Sequence, residues 1–258
     1  MQKIKLTLLT ILCIIITGQV KASTLNSLDT KVYLDENGDG HVSETWNYTI
    51  DEGTENYHSF GQLEDRQITD FSVSMDGKTY TNIGTWNVDA TKEEKSYKNG
   101  INYTADGLEL CHGIEYGTHT YNVNYTVKNL VWTYNDSQIL YFTFLPQNMT
   151  TPPKKYQLTI YGDKQYRDLK YSSYGFKSTN NIKNGKIIFK SNGNLQSDEY
   201  VVALIGFPLG TFNTEISKQG TYNDIAKSAL EGAKQNKTNN VILPLLTFFI
   251  VFALVFVI

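Results

Sequence analysis

Asp35-Glu36-Asn37-Gly38-Asp39-Gly40 sets oxygen-bearing side chains at its first, third and fifth positions and glycine at its sixth, as a calcium loop would begin. The twelfth position should bring a bidentate carboxylate, and Trp46 stands there. Asn37-Gly38 and Asp39-Gly40 also suit an acidic β-hairpin turn, which is the reading adopted. Cys111, His112 and His119 form a second group of metal-ligating types, with His41 and His58 elsewhere. Neighbouring residues of a strand point to opposite faces, so Cys111 and His112 are poorly placed to share an ion, and His119 lies beyond the turn at Tyr116-Gly117. No metal and no cofactor is expected.

Glu44 is the more informative carboxylate. Along Val42, Glu44, Trp46, Tyr48 and Ile50 the period of two puts it on the face that carries apolar residues. A carboxylate on such a face must be paired or lie near an edge. It could serve as the general acid of a cell-wall hydrolase, with Glu109 or Asp70 as a second acid. The alternative is a carboxylate held by backbone N–H groups, a lysine or a tyrosine hydroxyl. No nucleophile elbow, P-loop, dinucleotide fingerprint or zincin helix accompanies it, and the chain is expected not to be an enzyme. Trp46, Trp86 and Trp132 are read as core aromatics or as part of a carbohydrate-stacking platform. Cys111 is read as a small buried hydrophobe.

The elements that must position these residues are β-strands. Tyr121, Val123, Tyr125 and Val127 alternate with Thr120, Asn122, Asn124 and Thr126, the mark of a half-buried strand. Comparable runs are expected at 30–35, 41–50, 68–75, 78–83, 108–112, 138–145, 155–161, 186–190 and 200–207, separated by Asn-Gly and Asp-Gly turns. Such a chain predicts a mainly β fold, an antiparallel β-sandwich over residues 23–216. The stretch 147–153, ending in Pro152-Pro153, is the best candidate for an internal boundary. Thr221 to Asp224 resembles a capping box, and with Ile225, Ala226, Ala229, Leu230 and Ala233 predicts a short amphipathic helix within 217–240, followed by a polar spacer.

Both ends are apolar. Residues 1–22 combine Lys3 and Lys5, an apolar run and the small residues Val20 and Ala22, so a secretory signal cut between Ala22 and Ser23 is expected. Cys13 leaves with it, and Cys111 alone cannot form an intrachain disulfide. Residues 241–258 carry no charge and are about 27 Å long as a helix, enough for one transmembrane anchor. The formal net charge is −3 and the only arginines are Arg66 and Arg167, which argues against nucleic acid as a partner.

Specific blocks add to this. Gly40-His41-Val42-Ser43-Glu44-Thr45-Trp46, Ile68-Thr69-Asp70-Phe71-Ser72-Val73 and above all Leu108-Glu109-Leu110-Cys111-His112-Gly113-Ile114 resemble the predicted bacterial membrane proteins of domain-of-unknown-function family 2207, across about Asp29 to Phe207. The resemblance implies an extracytoplasmic β-rich domain at the cell membrane, with no catalytic residues to carry over. His112 stands where an aromatic is common in that family. Together these readings predict a single-pass membrane protein with its N-terminal domain outside, which binds an envelope glycan or a neighbouring membrane protein.

Overall fold

The computed structural model describes residues 23–234. The expected signal, 1–22, and the expected anchor, 241–258, lie outside the described residues. Among the described residues no helix is long and apolar enough to cross a membrane.

The chain is mainly β. The first half forms β1 (Thr24–Leu34), β2 (Gly40–Ile50), β3 (Glu55–Phe60), β4 (Gln67–Met75), β5 (Lys78–Thr79), β6 (Thr81–Thr85), β7 (Lys98–Thr104), β8 (Gly107–Gly113) and β9 (Gly117–Lys128). The second half forms β10 (Val131–Thr133), β11 (Gln138–Leu145), β12 (Tyr156–Gly162), β13 (Lys170–Tyr174), β14 (Ser178–Lys183), β15 (Lys186–Ser191) and β16 (Val201–Phe207). Among the described residues there are two helices, α1 (Lys92–Lys95) between β6 and β7, and α2, at 222–234, after β16. The eight-stranded sheet runs β14-β15-β12-β1-β2-β9-β4-β5, and two four-stranded sheets run β10-β11-β16-β13 and β3-β8-β7-β6.

Alternation explains the long strands. In β2 every second residue from Gly40 to Ile50 is buried, and in β9 Tyr121, Val123, Tyr125 and Val127 are inward. One apolar cluster draws on all three sheets, with Trp46, Tyr125 and Phe189 from the large sheet, Leu110 from the β8 sheet and Phe144 from the β11 sheet. Removing that much apolar surface from water at about 25 cal/mol per Å² is the main force holding the sheets together.

The fold is not wholly antiparallel, as the sequence reading expected. β1 and β12 pair in parallel, Leu28 opposite Tyr156 through Leu34 opposite Gly162, and β6 pairs in parallel with β7. Alternation records which face a residue takes and is silent on strand direction. Parallel neighbours need a long crossover, which the chain from β2 to β11 supplies for the first pair. The Pro152-Pro153 stretch leads directly into β12, so the chain on either side of it shares one sheet. The run expected at 78–83 is two strands in different sheets, because Tyr80 turns inward between them with 6% exposure.

The chain beyond 216 is tied to the domain. The Lys218 amide donates to the Thr133 carbonyl at 2.8 Å, and Tyr222, at the start of α2, packs with Ile139 and Leu204.

Candidate functional site

Three strands converge on Glu44. Its side chain is fully buried at 0% exposure, on the inward face of β2 where the period of two placed it. Oε1 accepts from the Tyr125 hydroxyl of β9 at 3.0 Å. Oε2 accepts from the Trp46 indole at 2.9 Å and lies 3.2 Å from Nδ1 of His58, on β3. A tyrosine hydroxyl was among the expected holders; the indole and the imidazole were not. Burial, and then the Glu44 charge, push the Tyr125 hydroxyl well above its ordinary value, so it stays a donor. A carboxylate only accepts, so Nδ1 of His58 carries a proton.

His58 is 3% exposed and stacks on Phe60 at a centroid distance of 4.4 Å. Its Nε2 has no partner among the described residues. His112, on β8, stands against the same aromatic group, with ring centroids 5.0 Å from Tyr121 and 6.4 Å from Trp46. Its Nδ1 lies 3.1 Å from the Gly113 carbonyl, and burial pushes its pKa down to about 4. At neutral pH it is an uncharged ring that fills the place of an aromatic side chain.

The outer wall of this network is a cleft of about 470 Å³. β3 contributes Asn56, Tyr57 and His58, β2 contributes Trp46 and Tyr48, and the 145–151 segment supplies further lining. Glu44 itself is not in the lining; it sits behind Trp46 and His58. The volume lies within the range of about 300–1,000 Å³ common for small-ligand sites.

The other singled-out residues lie in separate networks. Trp86 is buried and its indole donates to Glu55, which also pairs with the buried Lys95 at 3.1 Å. Glu109 accepts from Asn102 at 2.8 Å and from Ser59 at 3.3 Å, and Asp70 accepts from Thr69 at 2.8 Å. Neither is hydrogen-bonded to the Glu44 network.

Among the described residues no group of three or more His, Cys, Asp or Glu side chains could hold a metal ion. In the turn at Asp35, the carboxylate accepts from the Asn37 and Asp39 amides at 2.9 and 3.0 Å, while Asp39 pairs with Lys128 at 2.7 Å. His119 is held by Asp76 at 2.7 Å.

Cys111 is 1% exposed, and burial, reinforced by Glu55 and Glu109, pushes its thiol up to about 12. Because the thiolate is the reactive species, a disulfide reagent should label Cys111 at least ~100-fold more slowly in the folded chain than in denaturant. Peptide mapping after timed quenching measures this, and equal rates would refute the buried thiol.

β3, which lines the cleft, is an element that the sequence pattern does not reveal. Its inward positions are Asn56, His58 and Phe60, so the polar residues hide the alternation that marked β2 and β9. The only available signal was the histidine two residues before Phe60.

Comparison with known proteins gives a family and little else. No curated protein matches the sequence. Among solved structures, a protein of Legionella pneumophila described as nutrient-binding is similar at 7% identity and a TM-score of 0.41, over 72% of this chain and 67% of that one. An M1 zinc metallopeptidase from Deinococcus radiodurans is similar at 12% identity and a TM-score of 0.41, over 72% of this chain and 42% of that one. The match to the metallopeptidase thus spans less than half of its length. Neither likeness bears on what this chain does. The family model described as the N-terminal domain of predicted membrane protein DUF2207 matches residues 24–207, and the chain belongs to that family.

Proposed function

We propose that this chain is a membrane-anchored, extracytoplasmic β-sandwich module that binds an envelope component in the cleft beside β3 and performs no catalysis. The observation that carries the reading is the cleft of about 470 Å³ floored by Trp46 and His58, whose polar groups are braced from behind by Glu44. Bracing of this kind fixes side-chain orientation before a ligand arrives, which lowers the ordering cost of binding. Membership of a predicted membrane-protein family supports attachment to a membrane, and residues 241–258 supply an uncharged segment for it.

Geometry favours binding over hydrolysis. A glycosidase needs two carboxyl groups about 5–10 Å apart, flanking the bond to be cut. Glu44 lies behind the cleft floor with both oxygens engaged, Glu109 and Asp70 serve other hydrogen bonds, and of the two acids in the cleft lining, Glu52 and Glu55, the second is held by Lys95 and the Trp86 indole.

Membrane-impermeant crosslinking on intact cells tests the reading. Purification of the full chain should recover an envelope component, and Thr150→Trp, which fills the cleft from its exposed lip, should abolish the recovery. Failure of the crosslinker to reach the chain would overturn the topology. Equal recovery with Thr150→Trp would overturn the cleft.

A further inference from the structure

We infer that the cleft is a saccharide site, taking a neutral, hydroxyl-bearing glycan of which one hydroxyl bridges Asn56 and His58. The inference rests on the cleft being the binding site and goes further by naming the class of ligand.

Its first support is a pair of unmatched polar atoms. Asn56 and His58 are two apart on β3, so their side chains share a face, and both line the cleft. His58 Nε2 and Asn56 Nδ2 are each buried without a partner among the described residues. An unpaired buried polar group costs about 1–3 kcal/mol, so a ligand group that pairs with both is favoured by relief of that cost. Both atoms lie just beneath the water-accessible surface of the floor, so binding requires the lining residues above them to part while His58 stays on Glu44.

Their polarity selects the ligand group. In the ring tautomer that donates from Nδ1 to Glu44, Nε2 presents a lone pair, while Nδ2 of Asn56 presents hydrogens. A hydroxyl can donate to the first and accept from the second. An ammonium only donates, and a phosphate or an ionised carboxylate only accepts.

Charge and shape point the same way. The lining contains Glu52 and Glu55 and no lysine or arginine, which disfavours anions. Glu55 is already paired with Lys95, so its charge is not free to attract a cation. Among the lining residues Tyr57 is 48% exposed and offers an aromatic face for the apolar side of a sugar ring, while Trp46, at 3%, is covered.

The test uses the full chain, held in a detergent without a sugar headgroup. Chitotriose, cellotriose and mannotriose serve as neutral probes, trigalacturonate as the anionic one and putrescine as the cationic one. Calorimetric titration should show binding of at least one neutral probe, weakened at least tenfold by Asn56→Ala. Binding should also move the ¹⁵N resonance of His58 Nε2, a readout that needs no substitution of the buried histidine.

No binding by any neutral trisaccharide, tighter binding of trigalacturonate or putrescine, or an unmoved His58 resonance would overturn the inference. If the neutral probes fail while crosslinking still requires an open cleft, the saccharide assignment falls and the binding module stands. If Thr150→Trp leaves crosslinking unchanged, the reading beneath both fails.

Discussion

Glu44→Ala is expected to lower the unfolding free energy by about 3–5 kcal/mol, a large part of the roughly 5–15 kcal/mol that holds a domain folded. The change strands the Tyr125 hydroxyl, the Trp46 indole and the His58 imidazole, all in a region that water does not reach. Each orphaned donor keeps its desolvation cost and loses its acceptor. Glu44→Gln keeps the shape and one acceptor oxygen, but turns an amide N–H₂ toward a donor, and should cost about 1–3 kcal/mol. Urea titration followed by tryptophan fluorescence reads both. The order matters most: a Gln variant as unstable as the Ala variant, or an Ala variant as stable as the parent, would contradict three donors meeting on one carboxylate.

That network shows what the sequence can and cannot disclose. Period-two alternation is local, so it assigned β2 and β9 and placed Glu44 on the inward face before any partner was known. The partners come from 81 residues away in Tyr125 and 14 in His58, and no spacing rule links them. β3 escaped notice because the residues that give it a role, Asn56 and His58, are the polar ones that blur a strand pattern. Strand direction was equally hidden. β1 would show the same inward Val32 and Leu34 whether β12 joined it in parallel or antiparallel fashion, and only the path of the intervening chain decides. The cleft needed the register of β3 against β8, fixed from Glu55 opposite Gly113 to Phe60 opposite Leu108, which is a tertiary fact.

The block Leu108–Ile114 carried the resemblance, and its glycine now has a physical reason. A Cβ on Gly113 would lie 2.0 Å from the carbonyl oxygen of Lys95 and 2.6 Å from its carbonyl carbon. Both are backbone atoms, so no side-chain rotation relieves the clash. Lys95 ends α1, whose four residues are started by the Thr91–Glu94 capping box, and its ammonium is pinned by Glu55 at 3.1 Å, Thr54 at 3.1 Å and the Val88 carbonyl at 2.6 Å. Gly113→Ala must therefore push α1 off β8 and draw the buried ammonium away from its partners. Overpacking costs about 1–3 kcal/mol and loss of a buried ion pair about 3–5, so a destabilisation of at least about 3 kcal/mol is expected. Gly61→Ala is the control, since nothing lies within 4 Å of the Cβ it would add, and it should stay within about 0.5 kcal/mol of the parent. Lys95→Met alone should also cost about 3–5 kcal/mol, because it leaves the Glu55 carboxylate with the Trp86 indole and no cation. If the glycine acts through Lys95, the double variant is less destabilised than the sum of the two, as both changes remove the same pair. Strict additivity in that cycle would show that Gly113 guards the backbone of β8 and leaves the Lys95–Glu55 pair untouched.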